Sequence, residues 1–409
     1  MNVKQLNELL LKGEHDRQDM WPRILEYESK SNPFFFEFGI RELPKEPGVL
    51  VIRGPRQYGK STWLDLQIRD TIEDYGKGTA LYLNGDSLLT EEALYSAVCE
   101  HEGYFRPGGK VRRLFIDEIT AVPHWERAIK RAYDEGLLRK TLVVTTGSKA
   151  ADLRRGNEKL PGRKGTLAKT EFVFLPISYH QFYKTCGKEL GEDAWKAYLL
   201  GGGAPLACNE ISQFERIPEY FPQLIREWIL GDIVSLGRSR LYLRNILNAI
   251  YLYAGQPVGF AKLAREAGLA NNTVASGYIE QLADLLSVMS VWPWDANRSQ
   301  LLFRKPCKFA FINMAVALAF EEYSLRTVHD FDGLPLAEQG KLLEQLVAQE
   351  LWRRRIFLGK AEPEALAFWQ SKTHEIDYVV AGAKTQLSSQ KRLCGIRNLP
   401  SGVGACAIS

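Results

Sequence analysis

The stretch GPRQYGKST, residues 54 to 62, constrains this chain more than any other. Gly54, Gly59, Lys60 and Ser61 stand at the spacing G-x-x-x-x-G-K-[ST], which suits a loop wrapped around phosphate. Glycine permits the backbone curl that turns successive N–H groups onto a β-phosphate. A lysine at that point reaches the β- and γ-phosphates, and the serine hydroxyl is placed to ligate Mg²⁺. Such a loop needs a buried strand before it and a helix after it. The run Val49-Leu50-Val51-Ile52 supplies the strand, and Leu64, Ile68, Ile72 and Tyr75 mark one face of a helix that starts at the phosphate site. Gly54, Pro55, Arg56, Gln57, Tyr58, Gly59, Lys60, Ser61 and Thr62 are therefore expected to line a nucleotide site.

A chain of 409 residues has room for two or three domains with cores of their own, and 45% hydrophobic with 25% charged residues is ordinary globular composition. A net charge of +4 on 53 basic and 49 acidic residues does not argue for nucleic acid, so only local clustering bears on that. Cys99, Cys186, Cys208, Cys307, Cys394 and Cys406 are scattered without a C-x-x-C pair, and the chain does not open like a signal peptide. Reduced thiols in a cytoplasm are expected. The weakly polar run Phe309 to Phe320 is shorter than the ~20 residues a bilayer requires, so no membrane is expected. The six histidines are spread singly, which offers no evident metal cluster.

In chain order, residues 1 to 47 form a leader with an amphipathic pattern at Leu6, Leu9 and Leu10 and an aromatic stretch, NPFFFEFGI. There Phe34, Phe35, Phe36 or Phe38 is a candidate to stack on a base, with core packing the more economical role. A second strand spans Thr79 to Leu83, and a third, RRLFIDE at 112 to 118, ends in two acids. A carboxylate at the end of a neighbouring buried strand sits across from the phosphate loop, so Asp117 is expected to hold the Mg²⁺ shell and Glu118 to polarise the attacking water. A helix, Pro123 to Gly136, leads to the strand Thr141 to Thr146 and to Gly147-Ser148. Either Thr146 or Ser148 is placed to sense the γ-phosphate, or Ser148 serves as a helix cap. The basic loop ADLRRGNEKLPGRKGTLAK is suited to supply a cation to the transferring phosphate, or is simply solvated. Strands alternating with helices imply a parallel sheet covered on both faces.

GPRQYGKST, FIDEITAVPHWERAIKRAYDEG, TTGS, LPGR and FLPISYHQF, in that order, resemble the prokaryotic AAA-type ATPases that carry a winged-helix segment and a C-terminal nuclease-like domain. The resemblance covers about residues 35 to 380. It implies an α/β fold with the parallel sheet of an AAA+ P-loop NTPase, then a winged helix-turn-helix, then a degraded restriction-endonuclease-like α/β domain. It also implies phosphate and Mg²⁺ binding by Lys60 and Ser61, a second motif in Asp117 and Glu118, Ser148 as sensor and Arg163 as arginine finger. The boundaries expected are 1–47 for the leader, 48–176 for the ATPase core and 177–245 for a helical lid or linker. Residues 246–320 follow as the winged helix, 321–380 as a partial nuclease-like domain and 381–409 as a divergent tail.

The second helix of the winged segment, about Thr273 to Leu285, has the position of a groove-reading helix but carries no Lys or Arg and bears Glu280 and Asp284. Charge for DNA phosphates must come from Lys262, Arg265, Arg298, Arg304, Lys305 and Lys308. In the C-terminal part Glu344 and Asp377 match nuclease carboxylates, but the E-x-K that should follow is absent and Lys384 is a poor stand-in. The chain is thus expected to bind ATP with Mg²⁺ and to couple hydrolysis to its later segments and to a DNA or protein partner. A nucleotide-gated binding module is the alternative, and an ATP-regulated nuclease the second alternative.

Overall fold

The computed structural model describes residues 1–106, 109, 111–147, 165, 167–235, 237–360, 366–380 and 404–406. The chain divides into two compact units, Met1–Ile177 and Ser178–Ser409.

In the first unit five parallel strands, β1 (Gly48–Arg53), β2 (Ala80–Asn84), β3 (Arg113–Asp117), β4 (Leu142–Gly147) and β5 (Glu171–Val173), lie in the order β2-β3-β4-β1-β5. Every residue of β3 and β4 is buried, as expected for parallel strands covered on both faces. Val49, Val51, Leu81, Leu83, Leu114, Ile116 and Val143 point to one face. There they meet Leu94 and Val98 of α4 (Glu91–Tyr104) and Trp125, Ala128, Ile129 and Ala132 of α5 (Trp125–Asp134). Helix α3 (Lys60–Tyr75) buries Leu64, Ile68 and Ile72 outside that cluster; it ends where Gly76, at φ +86°, donates its N–H to Ile72. Helix α4 starts at Thr90, whose hydroxyl accepts the N–H of Ala93, with Glu91 and Glu92 favourably placed in its first turn.

The leader is part of this unit. Helix α1 (Val3–Lys12) opens with a capping box between Asn2 and Gln5 and buries Asn7. The Asn7 side chain donates to the Tyr82 carbonyl at 2.7 Å and accepts the Tyr82 N–H at 2.8 Å, so it pairs with the backbone of the edge strand β2. Further along, the buried Arg113 guanidinium donates to the carbonyl of Leu43 at 2.9 Å and to the Thr71 hydroxyl at 2.8 Å, tying the leader to β3 and α3. Between these anchors lies α2 (Pro22–Glu28), with proline in its first turn.

The second unit begins with helices α6 (Tyr179–Leu190), α7 (Ala194–Gly201), α8 (Pro205–Phe214), α9 (Tyr220–Ser235) and α10 (Arg240–Leu252). Helices α11 (Phe260–Glu266) and α12 (Asn272–Asp284) follow, then β6 (Val288–Asp295), β7 (Gln300–Leu301), β8 (Lys308–Phe311) and α13 (Met314–Phe320). The weakly polar run from Phe309 is thus part strand, part helix. Last come α14 (Val328–Asp332), α15 (Leu336–Phe357), β9 (Ala367–Gln370), β10 (Glu375–Val380) and β11 (Gly404–Cys406). Strand β6 pairs antiparallel with β8 through Val288–Val291 and parallel with β9 at Trp292 and Pro293, so one sheet joins the segment before α13 to the strands after α15. Two buried glutamines tie helix α15 to β8 and to the start of α13: Gln345 accepts the Phe311 N–H and Gln349 the Met314 N–H.

No helix of the described residues is long and apolar enough to cross a membrane. Cys99, Cys186, Cys208 and Cys307 are free thiols.

Candidate functional site

Because β1, β3 and β4 are parallel, their carboxyl ends lie along one edge of the sheet, with β4 between β1 and β3. The loop after β1 turns at Gln57 (φ +62°) and Gly59 (φ +93°), and α3 starts at Lys60. The glycines are required by packing as well as by φ. A Cβ on Gly59 would stand 2.5 Å from the Phe36 ring, and one on Gly54 would stand 2.5 Å from Cβ of Phe174. The leader aromatics therefore wall the loop: Phe34 and Phe38 are buried, Phe38 packs on Trp63 and Phe174, and Phe36 stacks on Tyr27. Phe35 is 76% exposed. Tyr58 is 1% exposed, so it can serve a phosphate only through its main chain.

Lys60 is 5% exposed and its ammonium donates to the carbonyls of Gly54 at 3.0 Å and Pro55 at 2.7 Å, folded back over the loop it heads. Asp117, 4% exposed, ends β3 beside Thr146 on β4, whose hydroxyl donates to Asp117 Oδ1. Glu118 follows in a left-handed conformation (φ +48°), its N–H donating to the same Thr146 oxygen at 3.3 Å. The turn is packed tightly: a Cβ on Gly85 would stand 2.3 Å from the Glu118 carbonyl oxygen.

Two residues that motif spacing does not announce join this edge. Arg23 of α2 places Nε 3.0 Å from Asp65 Oδ2 and Nη1 3.2 Å from Asp117 Oδ2. Asp65 is 4% exposed, and burial pushes its carboxyl up to about 7, with Arg23 opposing the rise and the Asp117 charge adding to it. Burial also pushes the Tyr82 hydroxyl up to about 12, helped by Asp117 and opposed by Arg23. Asp65 lies one turn beyond Ser61 on α3, which is the signal that would have found it; Arg23 is too distant in sequence to leave one.

The hydroxyl of Ser61 and the carboxylate of Asp117 are hard oxygen donors, the chemistry that suits Mg²⁺, and the buried lysine suits a polyphosphate. Ser148, Arg163 and most of the basic loop lie outside the described residues.

In the second unit the expected carboxylates Glu344 and Asp377 do come together, with Glu375, around a lysine. The Lys308 ammonium stands 2.7 Å from Glu375, 2.9 Å from Asp377 and 3.5 Å from Glu344. This corrects the expectation that Lys308 offers charge to DNA: its side chain is 2% exposed and committed to three acids. Burial would lower its pKa, but the bonds to Glu375 and Asp377 outweigh that and raise it. Among the described residues no group of three or more His, Cys, Asp or Glu is arranged to hold a metal ion. Lys384 lies outside them.

Residues 46–183 match the family described as AAA domain, and residues 192–325 match a domain of unknown function (DUF8612). The uncharacterized protein MJ1544 of Methanocaldococcus jannaschii is 24% identical over 390 residues, covering 89% of this chain and 78% of that one. Among solved structures, the Walker-type ATPase paby2304 of Pyrococcus abyssi is similar at 13% identity and a TM-score of 0.45, over 66% of this chain and 90% of that one. The Aeropyrum pernix ORC2 protein is similar at 12% identity and a TM-score of 0.38, over 74% and 89%. The five-stranded parallel sheet, its glycine-rich loop and the AAA domain match together give the first unit the fold of a P-loop nucleoside triphosphatase.

Proposed function

We propose that the first unit binds ATP with Mg²⁺ and hydrolyses it at the edge where β1 and β3 end. The observation that carries this reading is the convergence there of Lys60 and Ser61, from the helix after β1, with Asp117 of β3 and Thr146 of β4. Incoming phosphates take the Lys60 ammonium from the Gly54 and Pro55 carbonyls, replacing neutral acceptors with charged ones. The backbone N–H groups of the loop hold the same oxygens. Ser61 and Asp117 would hold Mg²⁺, which supplies neutralising charge to the phosphates. Asp117 is kept in one orientation by Thr146. Glu118, next along the chain, orients the attacking water and takes its proton. Ser148 as sensor and Arg163 as finger complete the assignment.

Lys60→Ala is expected to abolish tight ATP binding, whereas Glu118→Gln keeps binding and loses turnover. Equilibrium binding of ATP measured beside phosphate release separates the two, and normal hydrolysis by Glu118→Gln would show that another group is the base.

The wider proposal is that nucleotide state repositions the later segments against a partner. Helices α11 and α12 with the β6–β8 pair support a winged-helix reading of residues 246–320, and Lys262, Arg265, Arg298, Arg304 and Lys305 remain exposed for phosphate contacts. Hydrolysis measured with and without double-stranded DNA decides the partner class. Stimulation by DNA supports the winged helix as sensor, and indifference directs the search to proteins. Tight ATP-dependent association without turnover selects the nucleotide-gated module, and DNA cleavage lost in Asp377→Ala but kept in Lys60→Ala selects the nuclease.

A further inference from the structure

Arg23 spans two buried carboxylates on different elements, Asp65 of α3 through Nε and Asp117 of β3 through Nη1. The other oxygen of Asp117 accepts the Thr146 hydroxyl, so both of its oxygens have fixed partners. Two acids this close in a buried setting repel each other, and one delocalised cation between them removes the repulsion while setting their geometry. The bridge also links the elements that bear the two candidate Mg²⁺ donors: Ser61 and Asp65 share a face of α3, and Asp117 ends β3. It originates in the leader, on a helix that precedes the phosphate loop by some thirty residues of sequence.

We propose that Arg23 and Asp65 are positioning residues for the Mg²⁺ site: the guanidinium, anchored on Asp65, holds the Asp117 carboxylate aimed where Ser61 and the nucleotide phosphates need it. The inference rests on the reading of the first unit as a Mg²⁺-dependent ATPase. Arginine is needed because its planar fork presents Nε–H and Nη–H to two acceptors at once, which an ammonium on a flexible stem does not. Asp65 keeps the guanidinium from swinging into solvent, to which the Arg23 side chain is 41% exposed.

The test measures affinity for a fluorescent ATP analogue in Mg²⁺ and in EDTA at pH 8, on the full chain. The ratio of the two dissociation constants reports what Mg²⁺ contributes and requires no turnover. Arg23→Gln is expected to reduce this ratio about tenfold, the usual effect of removing a partner that orients a metal ligand. The EDTA affinity should stay unchanged. Arg23→Lys is expected to fall with Arg23→Gln. The decisive variant is Arg23→Gln with Asp65→Asn: Asp65 acts only through Arg23, so the double variant is expected to match Arg23→Gln, while Asp65→Asn alone lowers the ratio by part of the same amount. A tether that merely docks α2 would instead lower affinity equally in Mg²⁺ and in EDTA and leave the ratio where it was. Equal ratios in wild type and Arg23→Gln, or a double variant worse than the single, overturn the proposal. If Arg23→Gln does not fold, Arg23→Lys alone and with Asp65→Asn carries the same comparison. A wild-type protein whose affinity ignores Mg²⁺ overturns the ATPase reading itself, a failure visible before any variant is measured.

Discussion

Burial at Asp65 has a sign that can be followed. Its carboxyl is raised to about 7 from an ordinary 3.8, so between those values the folded protein holds a proton that the unfolded chain has released. Stability tied to this group therefore falls as pH rises from about 4 to about 7 and is level above that window. Asp65→Asn removes the titration. Thermal melts without nucleotide should show the asparagine variant gaining on wild type between pH 5 and pH 8, and a gap that does not change with pH would mean that the carboxyl titrates normally. At this scale the residues legible in position were those that a motif spaces: Lys60 and Ser61 open α3 after the glycine-rich loop, and Asp117 ends the buried strand β3. Arg23 was not legible because nothing local distinguishes an arginine that will meet two acids from one that will meet water.

Strand β8 shows how an element decides what a residue is for. Lys308 sits in KPCKFAF among other basic residues, and its charge alone suggested contact with DNA. All four residues of β8 are buried, however, and the pairing with β6 brings Lys308 to Glu344, Glu375 and Asp377. Lys308→Met should leave three acids facing one another. Removing one partner of a buried ion pair costs ~3 to 5 kcal/mol. Because Glu375 and Asp377 keep 37% and 43% exposure, about 2 kcal/mol is the expected loss in denaturant unfolding of the second unit. An unchanged midpoint would show that solvent already screens the cluster. The acids were readable from sequence as a pair, but their cation was not, since it arrives from a strand more than thirty residues upstream of Glu344.

Across the whole molecule, the alternation of strands and helices made the first sheet legible down to its parallel sense, and the strand ends were read to within a residue or two: Thr141 to Thr146 expected, Leu142–Gly147 found. The second unit was harder because the sheet among its described residues is assembled from strands far apart in sequence, with β6 between β8 and β9. Helical and strand patterns announce themselves locally, whereas a long-range pairing leaves no periodic trace.

The Asn7 amide also bears on how molecules of this protein meet one another. Strand β2 is the outermost of its sheet, and an outermost strand with open amides and carbonyls invites a neighbouring chain to extend the ladder. Asn7 fills that vacancy at Tyr82 with the two bonds a neighbour would make. A chain shortened by its first twelve residues should therefore remain folded in its sheet yet become sticky, its sedimentation coefficient rising with concentration while that of the full chain stays constant. The leader, on this view, acts as a stopper as much as a scaffold, with the amide of a single asparagine closing the ladder at Tyr82.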